Sequence, residues 1–255
     1  MDTVKLVQDF LYTVPIFPYL WFPHCIMMSL AARQVYGGNA LNYARSNPLS
    51  CFLRTLLYTF PGGILSALFL AEPAFALMAN LPTLSVMIIA WYLTFFSPRD
   101  FFAQFILKTK LTFLFSITQD FMRLHLCLSG VAIVAKTYPK AFVYMTFIGI
   151  CKSSGFMVFK YIEHLFDKGL QKADPFKIPN HPTKTCILAS MAFAVQASGV
   201  YDFGGDAVVL AGLTLLAVNL RLFFTSDPYY WFEAMVCGVL FGGVSPPLDK
   251  ASKKV

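Results

Sequence analysis

The apolar residues of this chain fall into blocks of roughly 20, the length at which a helix crosses about 30 Å of hydrocarbon. The first block runs from about Pro15 to Tyr36 and a second from Leu49 to Leu70. A third, Thr83 to Phe96, is closed by the Ser97-Pro98-Arg99-Asp100 break. From Phe101 to Ala135 the apolar character outlasts one straight span, so an interfacial lead-in through Lys108 and Lys110 is expected before the fourth helix. The fifth block covers Ala141 to Phe166 and the sixth Thr185 to Tyr201. A seventh starts after the turn Asp202-Phe203-Gly204-Gly205-Asp206, and Tyr229 to Val244 is apolar but short, which suits an interfacial segment or one packed on the bundle. The connections hold helix breakers: GGNALNYARSNP follows the first block, and DKGLQKADPFKIPNHPTK, with Pro175, Pro179 and Pro182, follows the fifth and argues against helix there.

Composition points the same way. At 57% hydrophobic and 13% charged, 255 residues carry too little polar surface to cover a water-soluble globule. An outer-membrane barrel would show roughly 10-residue alternating stretches. The expected fold is therefore all-α: a polytopic membrane protein of one domain, 1–255, with seven transmembrane helices. The net charge of +7 sits in short loops without an aromatic-interleaved basic tract, so anionic lipid rather than nucleic acid is the expected counter-charge. The six cysteines stand singly and follow neither metal-ligand nor disulfide-framework spacing, so no metal is expected. The first 14 residues, with Asp2, Lys5 and Asp9, lack the order of a cleavable signal peptide.

Charge bias sets an expected topology. Thirteen basic residues (Arg33, Arg45, Arg54, Arg99, Lys108, Lys110, Lys168, Lys172, Lys177, Lys184, Lys250, Lys253 and Lys254) fall on one side, and Lys5, Lys136 and Lys140 on the other. That places the C-terminus in the cytosol and, after seven crossings, the N-terminus in a lumen. Helices one to three (about 15–97) and four to six (about 101–203) make two sets of three, so the second set enters from the opposite face as an inverted repeat. A seventh helix (about 206–226) and a cytosolic tail (227–255) follow. The second helix of each set carries small residues in mid-block: Pro61-Gly62-Gly63 in one, Ser153-Ser154-Gly155 in the other. Matched interruptions mark a conduction or binding region, because unwound backbone needs a cavity or partner, and Gly62, Gly63, Ser154 and Gly155 become candidate pore hinges. The same glycines also suit close helix packing, the better reading for Gly130, Gly149 and Gly212.

Asp120, Arg123, Lys152, Lys160 and Arg221 fall inside apolar blocks, where an ionised group costs at least about 2.5 kcal/mol at mid-helix. Thr112, Ser116, Gln119, Arg123, Cys127 and Gly130 share one helix face, with Asp120 at its edge, a stripe expected to face the bundle interior or a water-filled path. Arg123 can pair with Asp120 three residues earlier, or can bind a lipid phosphate with help from Gln119. Lys152 sits where it can face the same cavity, whereas Lys160 and Arg221 lie near helix ends and suit snorkelling. A polyanionic headgroup held by these residues would supply the negative charge that a cation path needs.

Several patches resemble the trimeric intracellular cation channel family, from about Pro15 to Gly243: RSNPLSCFLRTLLYTFPGGILSALFLAEP, AWYLTFFSPRD and CKSSG. The family's fourth-helix signature, KEVxRxxKIxxGV, is similar to QDFMRLHLCLSGV here, from Gln119 to Val131. Arg123, Gly130 and Val131 match and Asp120 replaces Glu, while the two lysines become Gln119 and Leu126. The resemblance implies a homotrimer with a pore in each subunit, in the endoplasmic or sarcoplasmic reticulum membrane, or the nuclear membrane. It also implies potassium counter-ion flux during calcium release and bound phosphatidylinositol 4,5-bisphosphate. Arg123 and Gln119 would hold that lipid, with Lys110 or Lys152 supplying the missing charge.

Three other classes compete, one of them a non-conducting lipid-binding scaffold that only a measured current excludes. A secondary transporter also uses inverted repeats and broken helices. An enzyme is not expected, because His24, His125 and His164 are scattered without a recurring catalytic spacing. Neither an acidic ring nor a TVGYG-like filter occurs, so strong discrimination between potassium and sodium is not expected.

Overall fold

The computed structural model describes residues 2–168 and 181–223, with residues 229, 234, 235, 238 and 239. The helices are α1 (Asp2–Thr13), α2 (Trp21–Val35), α3 (Ala40–Ser46), α4 (Pro48–Thr59), α5 (Pro61–Phe69), α6 (Leu81–Phe96), α7 (Phe101–Lys108), α8 (Leu111–Thr137), α9 (Phe142–Lys168), α10 (His181–Ser198) and α11 (Asp206–Phe223). The protein is an all-helical membrane protein. By length and hydropathy α9 and α11 qualify as spans alone, and three bent pairs qualify as pairs. α8 and α10 miss that measure through their polar residues, Gln119, Asp120, Arg123 and His125 in one, His181, Lys184 and Gln196 in the other. Counted with those two, the spans are consistent with seven crossings, with α7 joined at a sharp bend to the end of α6.

The over-long fourth block resolves as expected into two helices. α7 leaves α6 at 88° and α8 begins after it. That turn puts Arg99 and Asp100 at φ of 53° and 61°, a left-handed conformation that costs non-glycine residues of order 1–3 kcal/mol each. Arg33, at the end of α2, holds it: its guanidinium donates to both Asp100 carboxylate oxygens at 2.5 Å and to the Thr94 carbonyl at 2.8 Å. The pair is largely buried.

Packing follows two sets. α2 packs on α4 and α6, and α8 on α9 and α10. Across the sets, equivalent helices meet, α2 against α8 and α5 against α9. α11 lies on α8 and α1 lies on α11. The core of the second set is built from Cys127, Val131, Met145, Ile148, Ala189 and Phe193, with Gly130 and Gly149 as the point of closest approach: a Cβ on Gly130 would lie 2.9 Å from Gly149 Cα.

The chain departs from the sequence expectations at five places. The connection after the first block contains the short helix α3. α10 starts four residues before its apolar block, because Pro182 falls in its first turn, where the missing N–H costs nothing. Residues 2–13, given no element, form a helix bent 89° from the next; its Leu11, with Val14 just beyond, packs against Leu20, Phe121 and Met122. Arg221 does not snorkel: its Nε donates to Asp120 at 2.6 Å. α9 runs without a break through Ser153-Ser154-Gly155, because no proline interrupts its ladder and Ser153 Oγ simply bonds back to the Gly149 carbonyl. The block Tyr229 to Val244 and the tail lie mostly outside the described residues.

Candidate functional site: a basic cavity at a broken helix

The second apolar block is broken where the sequence places Pro61. Without an N–H, Pro61 cannot bond to the Leu57 carbonyl, and α4 and α5 meet at 61°. Gly62 and Gly63 follow immediately. α5 then lies on α9 backbone to backbone: a Cβ on Gly62 would sit inside the Lys152 carbonyl, and one on Gly155 would be 2.5 Å from Gly62 N and 2.7 Å from Pro61 C. The two small-residue sites picked from the sequence therefore touch each other. One bends a helix, and the other makes room for the bend.

Beside this contact is a cavity of about 310 Å³. α8 contributes Gln119, Met122, Arg123 and Leu126, one face at helical spacing; α9 contributes Lys152, Ser153, Gly155 and Phe156. Gly62 and Gly63 line it as well. Six of the eight residues singled out from the sequence thus face one space. Ser154 is buried beside it but does not line it, and Lys110 is exposed at the start of α8, nine residues or about 13 Å of helix from Gln119.

The charge of the cavity is one-sided. Among its lining residues Arg123 and Lys152 are the charged ones, and no carboxylate is present. Asp120 points away to Arg221, leaving Arg123 at 3.6 Å from its other oxygen. Gln119 is 7% exposed and its Nε2 has no hydrogen-bond partner. A buried amide donor without an acceptor costs about 1–3 kcal/mol, so the site favours a ligand that accepts hydrogen bonds. Guanidinium, ammonium and amide donors converging on one space form a donor set suited to a phosphate-bearing headgroup.

Sequence reasoning missed His24, Trp21, Tyr58 and Phe156. His24 Nε2 lies 3.1 Å from the Thr59 carbonyl at the break, and its ring packs on Trp21, whose Nε1 donates to the Thr83 carbonyl at 3.0 Å. These two residues hold α2 to both the broken helix and α6. A histidine and a tryptophan three residues apart in an apolar block carry no signal until the partner helices are placed.

A helical membrane protein whose halves meet through matched helices around a charged central cavity has the architecture of a solute-conducting protein. The TRIC channel family model matches residues 37–226, and the chain belongs to that family. Trimeric intracellular cation channel type 1B.2 of Caenorhabditis elegans is 25% identical over 260 residues, 98% of this chain and 82% of that protein. A solved trimeric intracellular cation channel from C. elegans, in the absence of calcium, superposes with TM-score 0.79 at 25% identity, covering 87% of this chain and 95% of that one. A second solved structure, described as the structural basis for activity of TRIC counter-ion channels in calcium release, shares the fold at TM-score 0.77 and 21% identity, covering 86% and 96%. These relatives are ion channels, not enzymes or secondary transporters.

Proposed function

We propose that the protein is a potassium-conducting channel of the endoplasmic or sarcoplasmic reticulum, a homotrimer with one pore per subunit, carrying counter-ion during calcium release. Family membership supports conduction, and the counter-ion role of a TRIC channel that shares this fold supports the link to calcium release. The pore runs through the cavity between α4/α5, α8 and α9. The two three-helix sets are read as inverted repeats, which the pairing of equivalent helices supports. The bias of basic residues supports a cytosolic C-terminus and a lumenal N-terminus.

The single observation that carries the lipid assignment is the cavity's charge: Arg123 and Lys152 line it, no carboxylate does, and the Gln119 amide donor is unpaired. Bare, such a cavity repels cations. Phosphatidylinositol 4,5-bisphosphate would bring surplus negative charge to it. Arg123 would grip a phosphate in bidentate fashion, with Gln119 and Lys152 as further donors. Lys110 is too far along α8 to share that grip and is left to the interfacial headgroup layer.

Purified protein recorded in planar bilayers under a potassium gradient tests the channel reading: unitary ohmic currents are expected, and vesicles tight to potassium at every voltage and calcium level would refute it. Arg123→Ala tests the lipid. It is expected to copurify without the phosphoinositide and to lose conductance; full retention of both refutes the assignment.

A further inference from the structure

The two halves of the broken helix are held to α9 in different ways. α5 lies on it through backbone contact at Gly62 and Gly155. It is also tied by the Tyr144 hydroxyl, which donates to the Phe69 carbonyl at 3.2 Å, and by the edge-on pair Phe69–Phe147 with centroids 4.8 Å apart. α4 is held by side chains. The Tyr58 hydroxyl donates to the Glu163 carboxylate, Arg54 pairs with the other Glu163 oxygen at 2.7 Å, and the Tyr58 ring meets Phe156 edge-on at 5.0 Å. Arg54 in turn lies over the Tyr36 ring, 4.6 Å from its centroid.

These contacts stand at one end of the cavity. Ile16, Phe17, Asn80 and Thr83 line it near the starts of α2 and α6, and Tyr58 and Phe156 line it on the side toward the start of α4 and the end of α9. Two turns beyond Phe156 on α9 comes Glu163, the first acidic residue of that helix. An aromatic pair therefore bridges the two helices whose separation would extend the cavity, and a carboxylate just past the pair holds it together.

We propose that Tyr58 and Phe156 form the closed constriction of each subunit's path, and that Glu163 is the positioning residue that keeps it closed by binding Tyr58 and Arg54. The inference rests on the channel reading above and adds its gate. α4 pivots about Pro61 while α5 stays on α9, so the rings part without disturbing the glycine contact. Opening releases the Glu163 carboxylate from Tyr58 at the mouth of a cavity lined only by basic charge, which favours a cation leaving by that route.

Single-channel recording of the full-length protein tests this. Tyr58→Phe keeps the ring and removes the donor: open probability is expected to rise, with at least about a tenfold shift of the closed-to-open ratio, as for losing one hydrogen bond to a charged group, and unitary conductance unchanged. Phe156→Ala removes the constriction and is expected to raise unitary conductance. Glu163→Gln can still accept from Tyr58 but loses the Arg54 pair, so its open probability falls between wild type and Tyr58→Phe, and its cation-over-anion selectivity drops. Tyr92→Phe, at an exposed position on α6, is the control and behaves as wild type. A conducting wild type from which Tyr58→Phe and Phe156→Ala are indistinguishable overturns the gate alone. A wild type silent at every voltage overturns the channel reading and the gate with it.

Discussion

Gly155→Ala adds one methyl group where the packing has least room. The new Cβ would stand 2.5 Å from Gly62 N and 2.7 Å from Pro61 C, and both are backbone atoms that cannot rotate away. Ordinary contact needs about 3.5 Å, so α5 and α9 must part by roughly 1 Å. Overpacking costs about 1–3 kcal/mol, and a backbone obstacle puts this site at the upper end. Alanine returns about 1 kcal/mol through helix propensity. The net destabilisation is about 2 kcal/mol, or roughly 4–8 °C in Tm for a chain of this size. Heating detergent-solubilised protein and measuring the fraction that still elutes as a folded peak reads the shift. Gly212→Ala on α11 is the matched control: nothing lies within 4 Å of its Cβ, so it gains propensity alone and stays at or above wild type. If Gly155→Ala is as stable as Gly212→Ala, the backbone contact between α5 and α9 does not exist, and the account of the break falls with it.

Asp100→Asn tests the turn between α6 and α7. The Arg33 hydrogen bonds hold the Asp100 carboxyl below the ordinary carboxylate range, against an opposing effect of burial. A depressed folded-state pKa means the pair's contribution is complete above the unfolded value of about 4 and is lost as pH falls through the folded value. Wild-type Tm should therefore drop on acidification below about pH 4, while Asp100→Asn starts lower at neutral pH and changes less with acid; equal slopes would refute the assignment. Gln119→Lys, which places a basic charge beside Arg123, should raise phosphoinositide affinity roughly fivefold, about 1 kcal/mol for one added cation near a headgroup. Liposome cosedimentation measures it, and unchanged or weaker binding shows that the headgroup does not reach Gln119.

Much of the site was legible in the sequence because its residues are costly where they stand. Arg123 and Lys152 inside apolar blocks, and Pro61 with two glycines in the middle of a helix, need a physical reason to be there, and the same cavity supplies it. The matched glycines also proved unlike each other in a way composition conceals. Pro61 removes a backbone donor and so bends its helix, whereas Ser153, Ser154 and Gly155 keep every N–H and leave α9 unbroken. Tyr58, Phe156 and His24 were invisible for the opposite reason. Aromatic residues in an apolar block are ordinary, and which of them line a cavity depends on the 61° between α4 and α5.

Asp120 shows why helical spacing could not settle the cavity's charge. Three residues from Arg123 on one helix, it reads as that arginine's partner. In the fold its carboxylate lies 2.6 Å from Arg221 on α11 and 3.6 Å from Arg123. A single carboxylate between two guanidinium groups neutralises one charge, and the closer arginine takes most of it. The positive charge that remains beside the cavity is therefore set by α11, a helix outside both three-helix sets and 101 residues away in the chain. Were Arg221 absent, Asp120 would be free to close on Arg123, and the cavity would lose the cation that distinguishes it from an ordinary polar gap between helices.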